Sequence, residues 1–173
     1  MSIIKTVRLV LRPFKLDDVE TAHEYASDPE NKYMVYLPND TKQETERFLR
    51  TTISEWKKDI PQSYEFAVVY GGKHIGGVSV YLDESRQVGE LGWIIHKDYQ
   101  GNGFATEAAK AVMDFAVNAQ KVKKIVAHCD YRNVASVKVM QKLGLSLERD
   151  DGVRRNKGSD EDSRDLMYSF VVD

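Results

Sequence analysis

The spacing of apolar and polar residues in the first third of the chain predicts one strand followed by two helices. Within residues 7–12, apolar side chains alternate with two arginines, which is the two-residue period of a half-buried strand. Pro13 ends this strand. Asp17 is a predicted N-cap for a helix that extends to about residue 26. Thr41, followed three positions later by a glutamate, has the spacing of a capping box, so a second helix is predicted to begin there.

The middle of the chain changes from a helical to an extended pattern and back. Residues 64–70 are aromatic and β-branched, and Gly71 and Gly72 separate them from the apolar segment 74–82, which predicts a β-hairpin. A further strand is predicted over residues 87–95. Residues 104–120 are typical of an amphipathic helix, because their apolar side chains recur every three or four positions.

The last third of the chain is predicted to add a strand, a short helix and two more strands. The first strand covers residues 125–130. Asn133 caps the helix, and Gly144 is well placed to end it. The final strands are predicted near residues 145–149 and 165–172.

The order of these elements favours a mixed α/β fold. A length of 173 residues, with no obvious linker, favours a single domain that comprises residues 1–173. The polar stretch 150–164 is the best candidate for a mobile loop.

Composition narrows the class of protein. A formal net charge of -2 and the lack of a basic stripe interleaved with aromatic residues argue against nucleic-acid binding. No apolar stretch is long enough to span a membrane, and residues 1–12 lack the continuous apolar block of a secretory signal. Cys129 is the only cysteine, so no intrachain disulfide forms, which fits a reducing compartment. We therefore expect a cytoplasmic protein.

The most informative segment is the glycine-containing loop at residues 100–106. It lies between an apolar strand and the strongest helix, and its sequence is Gln100-Gly101-Asn102-Gly103-Phe104-Ala105-Thr106. Glycines permit a positive φ and a close approach of the backbone to a ligand. The N–H groups at a helix start have no intrahelical partner, so they can converge on a phosphate. The loop is a candidate pyrophosphate site, although a tight strand-to-helix connection explains the two glycines equally well.

Two other phosphate-binding loops are excluded by the same residues. No Gly-Lys-Ser or Gly-Lys-Thr is present, so the loop is not that of a nucleoside triphosphatase. The three-glycine spacing of the dinucleotide fingerprint is also absent.

The wider sequence resembles the GCN5-related N-acetyltransferase (GNAT) superfamily. Gln100-x-x-Gly103-x-Ala105 matches the superfamily motif Gln/Arg-x-x-Gly-x-Gly/Ala. The runs 90–108, 8–13 and 133–145 are similar, in the same order, to the branch that contains ribosomal-protein N-terminal acetyltransferases. This resemblance implies a mixed, mostly antiparallel sheet that is flanked by helices and splayed around an acetyl-coenzyme A site.

The resemblance also implies how the cofactor binds. The loop amides from Gly101 to Thr106 would hold the coenzyme A pyrophosphate, and the pantetheine arm would lie along the strand that precedes the loop. An N–H of that strand would polarise the thioester carbonyl. The cofactor-binding residues implied are Trp93, Ile94, Ile95, Gln100, Gly101, Asn102, Gly103, Phe104, Ala105, Thr106 and Asn133.

Glu90 and Ser136 are the candidate catalytic residues. An amine acceptor arrives as an ammonium ion and must lose a proton, whereas the leaving thiolate benefits from gaining one. The resemblance implies that Glu90 is the candidate base, because it lies on the strand that leads to the cofactor, where several members of this branch carry a functional glutamate. It shares a strand face with Gly92, which leaves room beside it, and partial burial would favour its uncharged form. A solvent-facing or ion-paired glutamate is the alternative. Ser136 stands where the superfamily pattern has alanine, and Met140 where it has the usual acidic tyrosine, so Ser136 is the candidate hydrogen-bond donor to the sulfur.

The remaining polar residues are interpreted as structural. Direct attack by the amine needs no acyl-enzyme, so Cys129 is expected to be a buried strand residue. The four histidines show no metal-ligand spacing, so no metal site is predicted. Asn133 is expected to cap its helix and to contact the pantetheine amides. The basic run at 154–157 and the acidic run at 160–162 are interpreted as a solvated loop. The alternatives are that the basic run meets the 3′-phosphate of coenzyme A or a partner, and that the acidic run attracts a cationic amine.

These inferences together predict an acetyl-coenzyme A-dependent N-acetyltransferase. The branch resemblance favours the N-terminal amine of a protein or peptide as acceptor, with a polyamine, an amino acid or an aminoglycoside as the alternative. A non-catalytic acyl-coenzyme A sensor is the rival from another class. Many proteins of this class dimerise, so a homodimer is an open expectation.

Overall fold

The computed structural model describes residues 2–173, in which one eight-stranded sheet carries four α-helices. The strands are β1 (Ile4–Lys5), β2 (Leu9–Pro13), β3 (Ser63–Tyr70), β4 (Lys73–Leu82), β5 (Val88–Ile95), β6 (Lys124–Asp130), β7 (Ser146–Arg154) and β8 (Ser163–Val171). The helices are α1 (Val19–Ala26), α2 (Lys42–Glu55), α3 (Phe104–Asn118) and α4 (Val134–Lys142). Apart from the two-residue β1, this is the predicted order of elements.

The sheet is mixed but mostly antiparallel, as predicted. Its strand order is β1-β2-β3-β4-β5-β6-β8-β7, and every neighbouring pair is antiparallel except β5 and β6. Helix α3 connects these two parallel strands, because a parallel pair needs a crossover rather than a hairpin.

A gap opens between β5 and β6 in the middle of the sheet. The two strands pair from Val88 opposite Lys124 to Leu91 opposite Ala127, and the ladder then stops. Strand β5 nevertheless continues to Ile95, and β6 to Asp130. The edges that face each other beyond Leu91 and Ala127 therefore make no sheet hydrogen bonds to one another.

The two faces of the sheet differ in polarity. Toward α3, side chains such as Phe66, Leu91 and Ile125 are buried in the main core, and burying one such side chain contributes about 1.5–3 kcal/mol. Toward α1 and α2, small apolar clusters alternate with polar side chains. We call this second side the polar face; among its residues are Glu65, Ser79, Tyr81, Glu90, Gly92, His128 and Asp165.

Two predictions at element ends hold in detail. Thr41 accepts the backbone N–H of Glu44, whose own side chain accepts from Thr41 N–H, so the predicted capping box is present. Gly144 follows the last residues of α4 with a φ of +84°, the left-handed conformation that ends a helix.

Two other predictions were wrong. The N-cap of α1 is Asp18 rather than Asp17, because the carboxylate of Asp18 binds Arg12 and the backbone N–H of Lys15 in a short 3-10 turn before the helix. Residues 150–164 are not one loop: β7 continues to Arg154 and β8 begins at Ser163, since the two strands pair along this stretch.

Two further points concern membrane-spanning helices and the number of domains. No helix formed by residues 2–173 is long and apolar enough to cross a bilayer. The assignment of residues 1–173 to a single domain stays a prediction, and Met1 lies outside the described residues.

Candidate active site

The loop before α3 presents unpaired backbone amides. Gly101 and Gly103 have φ values of +78° and +80°, which reverse the chain so that it can enter the helix. The N–H groups of residues 101–103 donate to no other residue in the described chain. The first N–H groups of α3 likewise have no intrahelical acceptor, so several donors meet at the positive end of the helix dipole.

This loop has the space and the donors that a pyrophosphate requires. A Cβ built on Gly101 meets no atom within 4 Å, and one on Gly103 comes no closer than 3.5 Å, to Arg8 Nη2. Open space above free amides is a suitable anion site. The side chain of Asn102 lies inside the loop instead, where its Nδ2 donates to the carbonyls of Tyr99 and Gln100.

Arg8 and Glu107 brace the loop from outside, a role that sequence reasoning missed. Arg8 Nη1 donates to the carbonyl of Asn102 at 2.9 Å, and its guanidinium lies 4.5 Å from the centre of the Phe104 ring. Glu107 binds Arg8 Nε at 2.7 Å and the hydroxyl of Thr6 at 2.6 Å. Burial raises the pKa of Glu107, but these hydrogen bonds outweigh it and hold that pKa below its usual value. No local pattern links residues so far apart in sequence.

The predicted pantetheine strand lies beside the gap. Trp93, Ile94 and Ile95 belong to the part of β5 that β6 does not pair, so its edge is free to accept an extended ligand. Ile95 is buried in the core, and Gln100 Nε2 donates to its carbonyl at 2.8 Å, which ties the end of the strand to the loop. The structure thus brings the predicted strand and loop residues together.

Helix α4 brings Asn133 and Ser136 to the end of β6. Asn133 Oδ1 accepts the backbone N–H of Ser136 at 3.2 Å, which is the predicted N-cap. The Ser136 hydroxyl makes no hydrogen bond to residues 2–173, so it is available to a ligand. Met140, at the position of the superfamily tyrosine, is fully buried and cannot replace it as an acid.

Glu90 lies on the polar face, where β5 approaches the gap. It pairs with Tyr81 on β4 and with Val126 on β6, and its carboxylate has no hydrogen bond or ion pair within the described residues. The expectation of partial burial was wrong, because Glu90 is exposed. Gly92, two residues on, faces Ser79 so closely that a Cβ there would lie 2.9 Å from its hydroxyl.

The sequence did not lead us to predict a buried carboxyl group on the polar face, that of Glu65. Glu65 accepts the hydroxyl of Tyr81, and burial raises the pKa of Glu65 to about 7. Burial, followed by the charge of Glu65, raises the pKa of Tyr81. A glutamate within an aromatic and apolar strand was the available signal, since such a residue is rarely buried unless it is paired.

A second missed group is a chain of three hydrogen-bonded polar side chains on β6, β8 and β7. His128 Nδ1 lies 2.7 Å from Asp165 Oδ2, and Arg154 Nη1 lies 3.0 Å from Asp165 Oδ1. Only 10% of the Arg154 side chain is exposed, so its assignment to a solvated loop was wrong. Its Nη2 also donates to the carbonyl of Tyr33 at 3.0 Å, in the segment between α1 and α2.

An open cavity of about 510 Å³ adjoins the end of β6. It is lined by Tyr131, Arg132, Ser159, Glu161, Asp162, Ser163 and Arg164. Arg132 is bound to the buried Asp130, and Asp162 to Arg155, so two of its charges are already neutralised.

Cys129 is a buried strand residue, as predicted. Only 3% of it is exposed, and burial raises the pKa of its thiol to about 11. A thiol that stays protonated at neutral pH is a poor nucleophile. Among residues 2–173, no cluster of histidine, cysteine and carboxylate side chains is suited to a metal ion.

Comparisons with known proteins agree with this geometry. The family model of the acetyltransferase (GNAT) domain matches residues 8–146. The Bacillus subtilis protein named uncharacterized N-acetyltransferase YnaD is 29% identical over 145 residues, which are 84% of this chain and 83% of that protein. Spermidine N(1)-acetyltransferase of Escherichia coli K12 is 33% identical over 84 residues, 48% of this chain and 45% of the enzyme.

A solved structure gives the same fold. RimL, a ribosomal L7/L12 alpha-N-protein acetyltransferase in complex with coenzyme A, superposes with a TM-score of 0.83 over 99% of this chain and 98% of that chain, at 18% sequence identity. Because the family model covers most of the chain, the protein belongs to the GNAT acetyltransferases and is an acetyl-coenzyme A-dependent enzyme that acts on amines.

Proposed function

We propose that the protein acetylates the N-terminal amine of a protein or peptide by direct attack of the amine on acetyl-coenzyme A. The observation that carries this proposal is the open cavity at the end of β6. Ligand pockets for small molecules enclose most of their ligand. A cavity open to solvent admits the end of a chain whose remainder stays outside.

The charges of the cavity favour a peptide over a polyamine. After Arg132 and Asp162 have been paired, Arg164 and Glu161 remain, and these two have opposite signs. A polyamine carries several positive charges and needs a site of net negative charge. A peptide end has one ammonium group and a neutral backbone, so a cavity of mixed charge with hydroxyl groups suits it better.

The segments around the cavity are also suited to hold a chain. The backbone N–H of Lys157 donates to the carbonyl of Met34 at 2.9 Å, so the segment after β7 contacts the segment after α1. The half-exposed Tyr131 lines the cavity, and the ring centre of Tyr33 lies 4.6 Å from the guanidinium carbon of Arg132. Tyrosine contributes a large, rigid contact surface with a polar end, which suits recognition of a peptide.

Different residues would bind the donor, bind the acceptor and stabilise the leaving group. The thioester of the donor, when bound, supplies an activated acetyl group. The amides of residues 101–106 would bind the pyrophosphate, and the free edge at Trp93 to Ile95 would hold the pantetheine arm. Ser136 would donate a hydrogen bond to the departing sulfur. Glu90, exposed and unpaired, would attract the ammonium group of the acceptor.

A panel of amines tests this proposal. Acetyl-coenzyme A-dependent thiol release is measured with N-terminal peptides of ribosomal proteins, the same peptides with a blocked N-terminus, spermidine and an aminoglycoside. We expect kcat/KM to be highest for a free N-terminal peptide, and mass spectrometry to place the acetyl group on its α-amine. A higher kcat/KM for spermidine would favour the second candidate, a polyamine acetyltransferase, which the similarity to the Escherichia coli enzyme supports.

A further inference from the structure

We propose that His128, oriented by Asp165, is the catalytic base that takes the proton from the acceptor amine. This inference rests on the proposed acetyl transfer and adds to it a residue outside the recognised motifs. Glu90 then serves to attract the ammonium group rather than to deprotonate it.

The register of the sheet places His128 at the opening of the gap. Glu90 on β5 pairs with Val126 on β6, so both side chains project to the polar face. His128 lies two residues further along β6 and projects to the same face. It directly follows Ala127, the last residue of β6 that pairs with β5. An imidazole here stands on the acceptor side of the gap, opposite the free edge of β5.

Asp165 fixes the tautomer of His128. A carboxylate can only accept hydrogen bonds, so His128 Nδ1 carries the proton in its 2.7 Å contact with Asp165 Oδ2. Nε2 is consequently the atom with the free lone pair, and it makes no hydrogen bond to residues 2–173. The imidazole side chain is 28% exposed, so a substrate amine can reach it.

Asp165 is itself held in place from several sides. Its second oxygen binds Arg154 Nη1 at 3.0 Å, and Arg154 Nε donates to Asn156 Oδ1 at 2.9 Å. Gly152 packs so closely that a Cβ there would lie 3.1 Å from the Cβ of Asp165. A carboxylate fixed by an arginine and by packing keeps the imidazole in one orientation, as the third member of a catalytic triad does.

The proposed acetyl transfer is balanced in protons and electrons and needs no further reactant. The ammonium group gives one N–H proton to His128 Nε2, which forms an imidazolium that Asp165 stabilises. The freed nitrogen lone pair forms the bond to the acetyl carbon as the carbon–sulfur bond breaks. The second N–H proton leaves the amide nitrogen and neutralises the thiolate, and the partly exposed imidazolium returns its proton to solvent.

Several charged groups face His128 and enter its pH dependence. They are Asp165 on β8, Arg154 on β7, Glu90 on β5, and Asp130 with its partner Arg132 beyond the end of the same strand. Of these, Arg154 opposes the imidazolium and the carboxylates favour it.

The test compares His128→Gln with Glu90→Gln and with the control His23→Gln. His23 also bonds through Nδ1, to the buried Thr45, but lies on α1 outside the site. We expect His128→Gln to lower kcat/KM for the amine about 100-fold or more at pH 7, with the Kd of acetyl-coenzyme A unchanged, since general bases contribute 10²–10⁴-fold. The deficit should shrink at pH 9, where more of the amine arrives deprotonated, a recovery that a purely structural role does not produce.

Asp165→Asn gives a second variant with a distinct signature. Its amide can donate to Nδ1 and so favour the wrong tautomer, and we expect an intermediate loss with the same recovery at pH 9. Activity of His128→Gln within twofold of the wild type, or a loss that stays constant from pH 7 to 9, overturns the proposal. A wild-type protein that acetylates no amine of the panel instead overturns the proposed function, so the two failures are distinguishable.

Discussion

The phosphate loop and the polar face are built in different ways, although both belong to the candidate active site. The loop offers main-chain amides from consecutive residues, Gly101 to Gly103, and the helix that follows them. The polar face offers side chains from β3, β4, β5, β6 and β8, which only the strand register brings together. A local turn is therefore enough to form the first region, whereas the second exists only in the complete sheet.

The two regions also differ in whether their charged side chains are paired and exposed or unpaired and buried. At the loop, the braces Arg8 and Glu107 form an ion pair near the surface, where such pairs contribute little. On the polar face, Glu65 is buried without a cation, so its ionisation opposes folding. The loop is consequently expected to respond to changes of backbone conformation, and the polar face to changes of protonation.

The largest expected effect concerns Glu65. Its pKa is about 7 in the folded protein, against 4.5 for a free glutamate side chain. Because the folded state holds the proton more tightly, the stabilisation is complete below pH 4.5 and is lost as the pH rises through 7. The wild type should lose about 3 kcal/mol of unfolding free energy between pH 4.5 and pH 8 from this group, and Glu65→Gln should remove that slope.

Chemical denaturation at pH 5 and pH 8 measures the difference. Glu46→Gln, at an exposed position on α2, is the control and should leave the pH dependence as it is. The same slope in Glu65→Gln as in the wild type would show that Glu65 is not the group responsible.

The next largest effect concerns the loop backbone. Gly103→Val places a β-branched residue at a φ of +80°, which turns the amides away from a common point. Losing one or two charge-assisted hydrogen bonds, at about 1.5–3 kcal/mol each, should raise the Kd of acetyl-coenzyme A about 100-fold. Isothermal titration calorimetry measures this change.

Gly158→Val is the matched control for this prediction. Gly158 has a φ of +79°, and a Cβ added there would meet no atom within 4 Å, so the variant carries the same backbone strain at a distance from the loop. Equal losses of affinity in the two variants would mean that global strain, and not the amides of the loop, weakens binding.

The contrast between the regions explains what the sequence could reveal. Gln100 to Thr106 and the capping residues Thr41 and Asn133 act on neighbours within a few positions, so a local pattern contains the information. The pair of Glu65 and Tyr81 depends on which residue of β4 faces β3, and the pair of His128 and Asp165 on how β8 inserts beside β6. Strand register and order are properties of the whole sheet, which alternation along one strand does not specify.

The exposure of Glu90 shows the same limit on a single residue. Alternation along β5 correctly gave Glu90 and Gly92 a common face. Burial, however, depends on what covers that face, and no element covers Glu90 within residues 2–173. The alternation along the strand predicted the side of the sheet on which Glu90 lies, but it did not predict how exposed the side chain of Glu90 is.

The smallest expected effect concerns Arg8, which is distant in sequence from the locally formed loop but contacts it in the folded protein. Arg8 stands on the segment before β2, far from the loop in sequence, yet its Nη1 binds the carbonyl of Asn102. Arg8→Ala removes this brace and leaves the glycines unchanged, so we expect the Kd of acetyl-coenzyme A to rise only about fivefold, or roughly 1 kcal/mol.

Arg50→Ala, which removes an exposed ion pair with Glu46 on α2, is the control and should leave the Kd unchanged. An effect of Arg8→Ala as large as that of Gly103→Val would contradict the view that the loop is formed locally. In that case the phosphate loop, like the polar face, would form only in the complete sheet.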